Sequence, residues 1–348
     1  AMASCPGCGE GPLTELSPEC SVELEWVPGY LKRVSHERGR GFCGKCKSFF
    51  CAPAPPRVID GGLYGPGFIA RVIVHKLLDC VPLYRQVKAF KREGLHVARS
   101  TLVGLFHLAA SLTEPIYLRM MELVPDSRVV YADETSLKMQ RVKKLAYIWT
   151  FATTLFITYV FSATRAGRTA EAVLGDSTGV LVVDGYTGYN KVTMPGKRTR
   201  AGCNAHARRK IFEARDNHPQ VASVLLAMYQ ELYDIEDRAR GLDALSRLNL
   251  RQQESAAVWL RMREYLDGEV VKKLLPKEAM SQAIGYLNNH WAALQVYVSN
   301  AHVPIDNNST EQLMKQVAIG RKNWCAPEVP RRTSGRSPPR DALLTMFI

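Results

Sequence analysis

Acidic residues are in short supply in this sequence: 33 Asp and Glu stand against 46 Lys and Arg over 348 residues, a formal excess of 13 positive charges. That imbalance favours a polyanionic partner through counterion release, with nucleic acid ahead of an anionic membrane surface. Near Ala1 to Cys5 there is no basic segment leading into an apolar run, so no secretory signal is visible and export is not expected. Cysteine does not come in an even number. Nine of them argue against a disulfide framework and for thiols that are free or metal-bound in a reducing compartment, the cytoplasm. Long apolar runs are few as well. Leu145 to Ala163 matches a membrane span in length, but its Thr, Val, Ile and aromatic residues suit two strands joined at Ala152-Thr153-Thr154. No membrane segment is expected, and with 46% hydrophobic residues the chain should form a globular core.

Composition then divides the chain. Residues 1–51 are cysteine-rich, and Ala52-Pro53-Ala54-Pro55-Pro56 opens a Pro/Gly-rich linker over 52–66 that continues neither a helix nor a central strand. Over 67–124 apolar residues recur at helical spacing (Phe68, Ile69, Val72, Ile73, Leu77, then Leu83, Val87, Phe90), with a break at Glu93-Gly94 and Ser100 as an N-cap for the next helix. The pattern fits a helix-turn-helix-like DNA reader or a plain helical hairpin equally well. From Arg128 the period changes. Val129 to Ala132, Ala146 to Ala152, Leu155 to Ser162 and Gly179 to Val183 read as strands, with a short helix over Gly167 to Leu174. An α/β layered sheet follows, and beyond Cys203 the chain reads as helical for about a hundred residues, with an all-helical insertion expected over about 219–300.

Cys5-Pro6-Gly7-Cys8 and Cys43-Gly44-Lys45-Cys46 are two knuckles whose four thiolates match the tetrahedral demand of structural zinc. Their wide separation calls for a long intervening loop, with a hairpin through Leu24 to Val34, and Cys20 and Cys51 are spare. Asp133 and Asp184 each follow an apolar strand, where carboxylates can leave the sheet and converge on a shared cation. Two magnesium ions so held can activate a water or 3′-hydroxyl and stabilise the leaving oxygen. Alone, each Asp is better explained as a turn or cap residue. Glu311 also has a structural explanation, since Asn308 as N-cap and Glu311 at N3 make a capping-box-like pair. Lys315, Arg321, Lys322 and Trp324 supply cations and an aromatic suited to a DNA strand, or a solvated face. Arg208, Arg209 and Lys210 open a helix beside Cys203 and His206, whose spacing alone usually means packing.

Taken together, these residues resemble the insertion-sequence-66 type transposases of bacteria. The resemblance is carried by Ala132-Asp133-Glu134-Thr135, Asp184-Gly185-Tyr186-Thr187-Gly188-Tyr189-Asn190, Ala205-His206-Ala207-Arg208-Arg209-Lys210, Ile305-Asp306-Asn307-Asn308 with Glu311, and Gly320-Arg321-Lys322-Asn323-Trp324. Pro82-Leu83-Tyr84-Arg85-Gln86 and the Cys-x-x-Cys pairs add to it. It implies an α/β fold with a ribonuclease-H-like catalytic core over 125–324, interrupted by the helical insertion, with an Asp-Asp-Glu triad carried by Asp133, Asp184 and Glu311. It further implies a Mg2+ (or Mn2+) cofactor, structural Zn2+, and a supporting Cys-x-x-His motif at Cys203 and His206. The DNA contacts expected are Arg208, Arg209, Lys210, Lys315, Arg321, Lys322 and Trp324. The implied partners are DNA (element terminal repeats and target DNA), a homo-oligomer assembled on it, and accessory proteins of the same element, in the bacterial cytoplasm on the nucleoid.

Several positions depart from the family pattern. Ser136 stands where Pro is usual, Asn204 where Trp is usual and Gln312 where Arg is usual, and a further N-terminal region found in members is not present. Residues 325–348, rich in Arg, Pro and Ser, read like a different frame and are expected to form a disordered tail. Competing expectations are a non-catalytic DNA-binding remnant and a structure-specific nuclease of the same fold.

Overall fold

The computed structural model describes residues 29–43, 45–60, 62–139 and 144–323. The chain divides into two compact units, Ala1–Pro55 and Pro56–Ile348. In the first, β1 (Arg40–Cys43) and β2 (Ser48–Cys51) form an antiparallel hairpin in register from Arg40↔Cys51 to Cys43↔Ser48. Phe42 and Phe49 clasp it with ring centroids 4.8 Å apart. A hairpin is therefore built around the second cysteine knuckle; of the hairpin expected through Leu24 to Val34, residues 29–34 hold no regular element and the earlier ones lie outside the described residues. The local reason is the run of apolar and β-favouring residues flanking the knuckle, against charged and Gly residues before it.

The second unit begins with α1 (Pro66–Leu77), α2 (Leu83–Arg92) and α3 (Arg99–Leu123). Gly94, at φ 85°, makes the left-handed turn that frees the chain between α2 and α3. Ser100 is not the N-cap. The N-cap lies two residues earlier, at Ala98, without any side-chain cap, because Val97 and Leu102 are both buried at the helix entry and their packing sets the start.

The sheet follows: β3 (Val129–Lys138), β4 (Leu145–Ala152), β5 (Ile157–Ser162), then α4 (Arg168–Leu174), β6 (Val180–Val183), a 3-10 segment over Thr187–Thr193 and β7 (Thr199–Gly202). The order is β5-β4-β3-β6-β7, with β5, β4 and β3 antiparallel and β6 and β7 parallel to β3. The apolar stretch after Leu145 is thus a hairpin, closed where Thr153 N–H donates to Phe156 O (2.9 Å). Among the described residues one helix, α3, is long and apolar enough to cross a membrane by length and composition. Its Leu102, Leu105 and Phe106 are buried and Tyr117 Oη donates to Tyr159 O on β5 (3.0 Å), while Leu112, Ile116 and Leu118 are exposed.

After the sheet come α5 (Asn204–Glu213), α6 (Pro219–Ala239), α7 (Ala244–Leu250), α8 (Ala256–Leu266), α9 (Glu269–Lys272), α10 (Ala279–Asn289), α11 (Trp291–Gln295) and α12 (Asn308–Asn323). Strand alternation gives the sheet two different faces. Val129, Val180, Val182 and Ala201 pack under α5, α6, α8 and α10 through Ile211, Leu225, Met262 and Leu287. Further along that face Leu137 and Ile148 meet Met314 and Val317 of α12. Val130, Ala132, Leu181 and Val183 face the other way, onto Val173, Leu174, Tyr189 and Trp149. Arg251 pins the helical region to the chain before α12: its buried guanidinium pairs with Glu236 (2.6 and 2.7 Å) and donates to the carbonyls of Tyr297, Asn300 and Val303.

Candidate active site

Parallel pairing runs Val129↔Val180, Val130↔Leu181, Tyr131↔Val182, so Asp133 and Asp184 each lie two residues beyond the last pair, and the Asp184 charge is felt at Asp133. Asp133 is not at a strand end, because β3 runs on to Lys138 and pairs Asp133 with Thr150 of β4. The hairpin ladder extends the strand through polar residues that an apolar-run reading stops at. Asp133 lies on the face carrying Tyr131 and Leu137, and among the described residues its carboxylate accepts one hydrogen bond, from its neighbour's backbone, Glu134 N–H to Oδ1 (2.8 Å). Burial first, then the charge of Glu134, with Asp184 and Glu311 adding, pushes its carboxyl up to about 7 against the lowering pull of that N–H.

Asp184 opens a tight loop, its Oδ1 accepting the Tyr186 N–H (2.9 Å). Arg200 of β7 holds the loop by donating to the carbonyls of Asp184 (2.6 Å) and Tyr186 (2.7 Å) and to Asn190 Oδ1 (2.8 Å). A Cβ at Gly185 would lie 2.6 Å from the Tyr286 ring and 2.9 Å from His290 Nε2 of the helical region, and one at Gly188 would lie 2.2 Å from the Tyr186 ring. The glycines of Asp184-Gly185-Tyr186-Thr187-Gly188 are thus demanded by close approach. Burial and the Asp184 charge push Tyr286 up to about 12, and burial with Arg200 lowers His290, which favours its neutral form.

Glu311 arrives from α12. The Asn307 amide donates to Ala132 O (3.1 Å) and its backbone N–H to Cys203 Sγ (3.3 Å), so the residue before the helix is fastened to the neighbour of Asp133 and to the end of β7. Asn307 O accepts from the N–H groups of Thr310 and Glu311, while Asp306 accepts from Asn308 N–H (3.1 Å). The expected Asn308 and Glu311 capping box is therefore displaced: the helix is capped from Asp306 and Asn307, and the Glu311 side chain reaches across to α5 instead. Its Oε1 lies 3.4 Å from His206 Nδ1 and its Oε2 3.7 Å from Arg209. Position in the first turn suits a carboxylate electrostatically. Asn204, where a Trp is usual, is buried and donates to the carbonyls of Leu294 and Ile305 (both 2.9 Å), joining α5 to the chain that leads into α12.

Among the expected DNA contacts, Arg209, Lys210, Lys315 and Lys322 are exposed and Arg208 is half-buried. Lys210 lies over the Tyr286 ring, 5.0 Å from its centroid. Arg321 is not a free cation: it donates to Thr135 Oγ1 (2.9 Å) and Ser136 O, latching α12 to β3. Trp324 lies outside the described residues. So do Cys5, Cys8 and residues 325–348. Cys43 and Cys46 sit across the β1–β2 turn as free thiols, and hydrogen bonds from Ser48, then Cys43, hold the Cys46 thiol below its usual range.

Sequence reasoning missed Glu134. Pointing opposite to Asp133, it accepts from Tyr189 Oη (2.6 Å) and from Arg165 Nε and Nη2 (2.9 and 2.6 Å). The signal available was its place next to Asp133 in a strand, since adjacent residues face opposite ways. Arg200, Tyr286 and His290 left no comparable trace, because tertiary packing alone brings them to the loop.

Fold and site define a mixed α/β protein with three carboxylates gathered about one face of its central strands. Residues 61–331 match the family described as Transposase IS66 family, and the chain belongs to that family. Three similar proteins come from Sinorhizobium fredii (strain NBRC 101917 / NGR234). Uncharacterized protein y4jD is 30% identical over 91% of this chain and 66% of its own length. The corresponding figures are 28%, 92% and 63% for y4hP, and 30%, 87% and 60% for y4qI. The chain thus spans somewhat less than two thirds of the length of these relatives.

Proposed function

We propose that this chain is a DNA transposase that binds the ends of a bacterial insertion sequence and catalyses magnesium-dependent strand cleavage and strand transfer through Asp133, Asp184 and Glu311. The observation that supports this reading is that Asp184 and Glu311, far from Asp133 in sequence, both add negative charge at its buried carboxyl, Asp184 from the end of the parallel strand and Glu311 from the helix that Asn307 fastens to Ala132. The strand order β5-β4-β3-β6-β7, three antiparallel then two parallel, supports a ribonuclease-H-like core.

The residues present fit a hard divalent cation. Among the described residues the Asp133 carboxylate has no cationic hydrogen-bond partner and is crowded by the charges of Glu134, Asp184 and Glu311; an oxygen-rich, anion-crowded centre is what magnesium takes. When bound, the cation activates an attacking water or 3′-hydroxyl and offsets charge on the leaving oxygen. The chain's own part is positional. Arg200 and the glycine-bearing loop orient Asp184, Asn307 sets Glu311, and exposed Arg209, Lys315 and Lys322 offer charge to a phosphate backbone. The reading also places the chain on DNA in the bacterial cytoplasm, as a homo-oligomer with accessory proteins of the element, and assigns structural zinc to Cys5, Cys8, Cys43 and Cys46. The test is incubation of the full chain with terminal-repeat DNA and magnesium. End cleavage and joining are expected. Binding without cleavage would make it a remnant, and cleavage without joining a nuclease.

A further inference from the structure

A second group of donor side chains includes Glu311. Cys203 Sγ, His206 Nδ1 and a Glu311 carboxylate oxygen all lie within 4.8 Å of one another. The His206 to Glu311 separation is 3.4 Å, and a tetrahedron with metal bonds of about 2.0–2.1 Å has edges of about 3.4 Å. We propose that Cys203, His206 and Glu311 form a binding site for a thiophilic divalent cation, zinc foremost, with its fourth position open.

Three observations support the site. Among the described residues His206 Nδ1 and Glu311 Oε1 are both buried without a hydrogen-bond partner, a costly condition that a shared cation removes. Cys203 precedes α5, so His206 follows one turn later on the same face. Its sulfur accepts the Asn307 N–H at 3.3 Å, and the His206 N–H also favours the thiolate, against the burial that drives the thiol up to about 11. Backbone donors to sulfur are the usual outer shell of a metal-bound thiolate. Helix capping by Cys203 explains the sulfur's place but leaves the two orphaned atoms unexplained. Donor type separates this site from its neighbour: sulfur and imidazole select zinc, whereas the Asp133 and Asp184 oxygens suit magnesium. Arg209 faces Glu311 Oε2, leaving Oε1 to the cluster. Only the sharing of Glu311 with a magnesium centre rests on the function proposed above.

Zinc content of the full chain, loaded and then freed of loose metal by gel filtration, tests the site. Cys203→Ser, which keeps a capping hydroxyl, and His206→Ala should each carry about one zinc equivalent less than the parent, while Asp133→Asn loses none. In the cobalt-loaded protein, Cys203→Ser should lose part of the thiolate charge-transfer absorption. If Cys203→Ser fails to fold, His206→Ala decides, since that side chain is 29% exposed. Parent-level zinc in a folded His206→Ala chain overturns the site. Loss of zinc in these variants alongside an inactive parent would instead count against the function proposed above and not against the site.

Discussion

Asp133 and Glu134 are neighbours in one strand and could hardly be treated more differently. Glu134 points to the face where Tyr189 and Arg165 wait, and their hydrogen bonds favour its carboxylate against burial and the Asp184 charge, which push its carboxyl up. Asp133 points to the opposite face, where burial and other carboxylates push it up to about 7 and only one backbone N–H opposes them. Strand alternation alone produces this split. One face spends its polar groups on stability, and the other leaves a carboxylate unbalanced, which makes sense where a cation belongs.

The largest effect should come from Asp133→Asn, which removes a proposed metal ligand. Cleavage of terminal-repeat DNA is expected to fall by about 10³-fold or more, the equivalent of several kcal/mol, with DNA binding retained in a gel-shift assay. Cleavage within tenfold of the parent would break the comparison at its functional end.

The same substitution should stabilise the metal-free protein. The Asp133 carboxyl sits at about 7 in the fold against 3.8 for the free group, so from about pH 4 to about pH 7 the folded chain holds a proton that the unfolded chain has lost. Stability of the parent therefore falls as pH rises through that window and is flat above it. Asn has no proton to lose. The gain from Asp133→Asn should be near zero at pH 4 and grow to about 2–4 kcal/mol by pH 8, read from urea melts at both pH values. A gain that shrinks with rising pH would mean that Asp133 is paired in solution.

On the opposite face the sign reverses. Glu134→Ala strands Tyr189 Oη and the Arg165 guanidinium, and should cost about 2–3 kcal/mol, discounted because Arg165 is 47% exposed. Smaller still, Tyr189→Phe removes one hydrogen bond to a carboxylate, at about 1–2 kcal/mol. Denaturant melts without metal check both. A stabilising Glu134→Ala would remove the contrast between the faces.

How far this was legible in the sequence depends on what each residue answers to. The β4–β5 hairpin could be read from its Thr, Val and aromatic residues, and β6 from four consecutive apolar residues. β3 was read four residues long because Asp133, Glu134, Thr135 and Ser136 interrupt the apolar run; pairing with β4 sustains the strand beyond them. β7, as Thr199-Arg200-Ala201-Gly202, gives no local signal, since an Arg and a Gly form a strand there only because β6 is alongside. Spacing suggested a cap at Glu311 and resemblance suggested chemistry. What neither contained was the Asn307 anchor, a contact between residues more than a hundred positions apart.

Manganese binding, followed by electron paramagnetic resonance on the metal-free full chain, puts the central claim to the most direct test. Asp133→Asn and Asp184→Asn should each weaken binding by about tenfold or more, the loss of one charged ligand, while Glu134→Gln leaves it at the parent value. Unchanged binding in both Asp variants, or an equal loss in Glu134→Gln, would contradict a cation centre built on that face of the sheet.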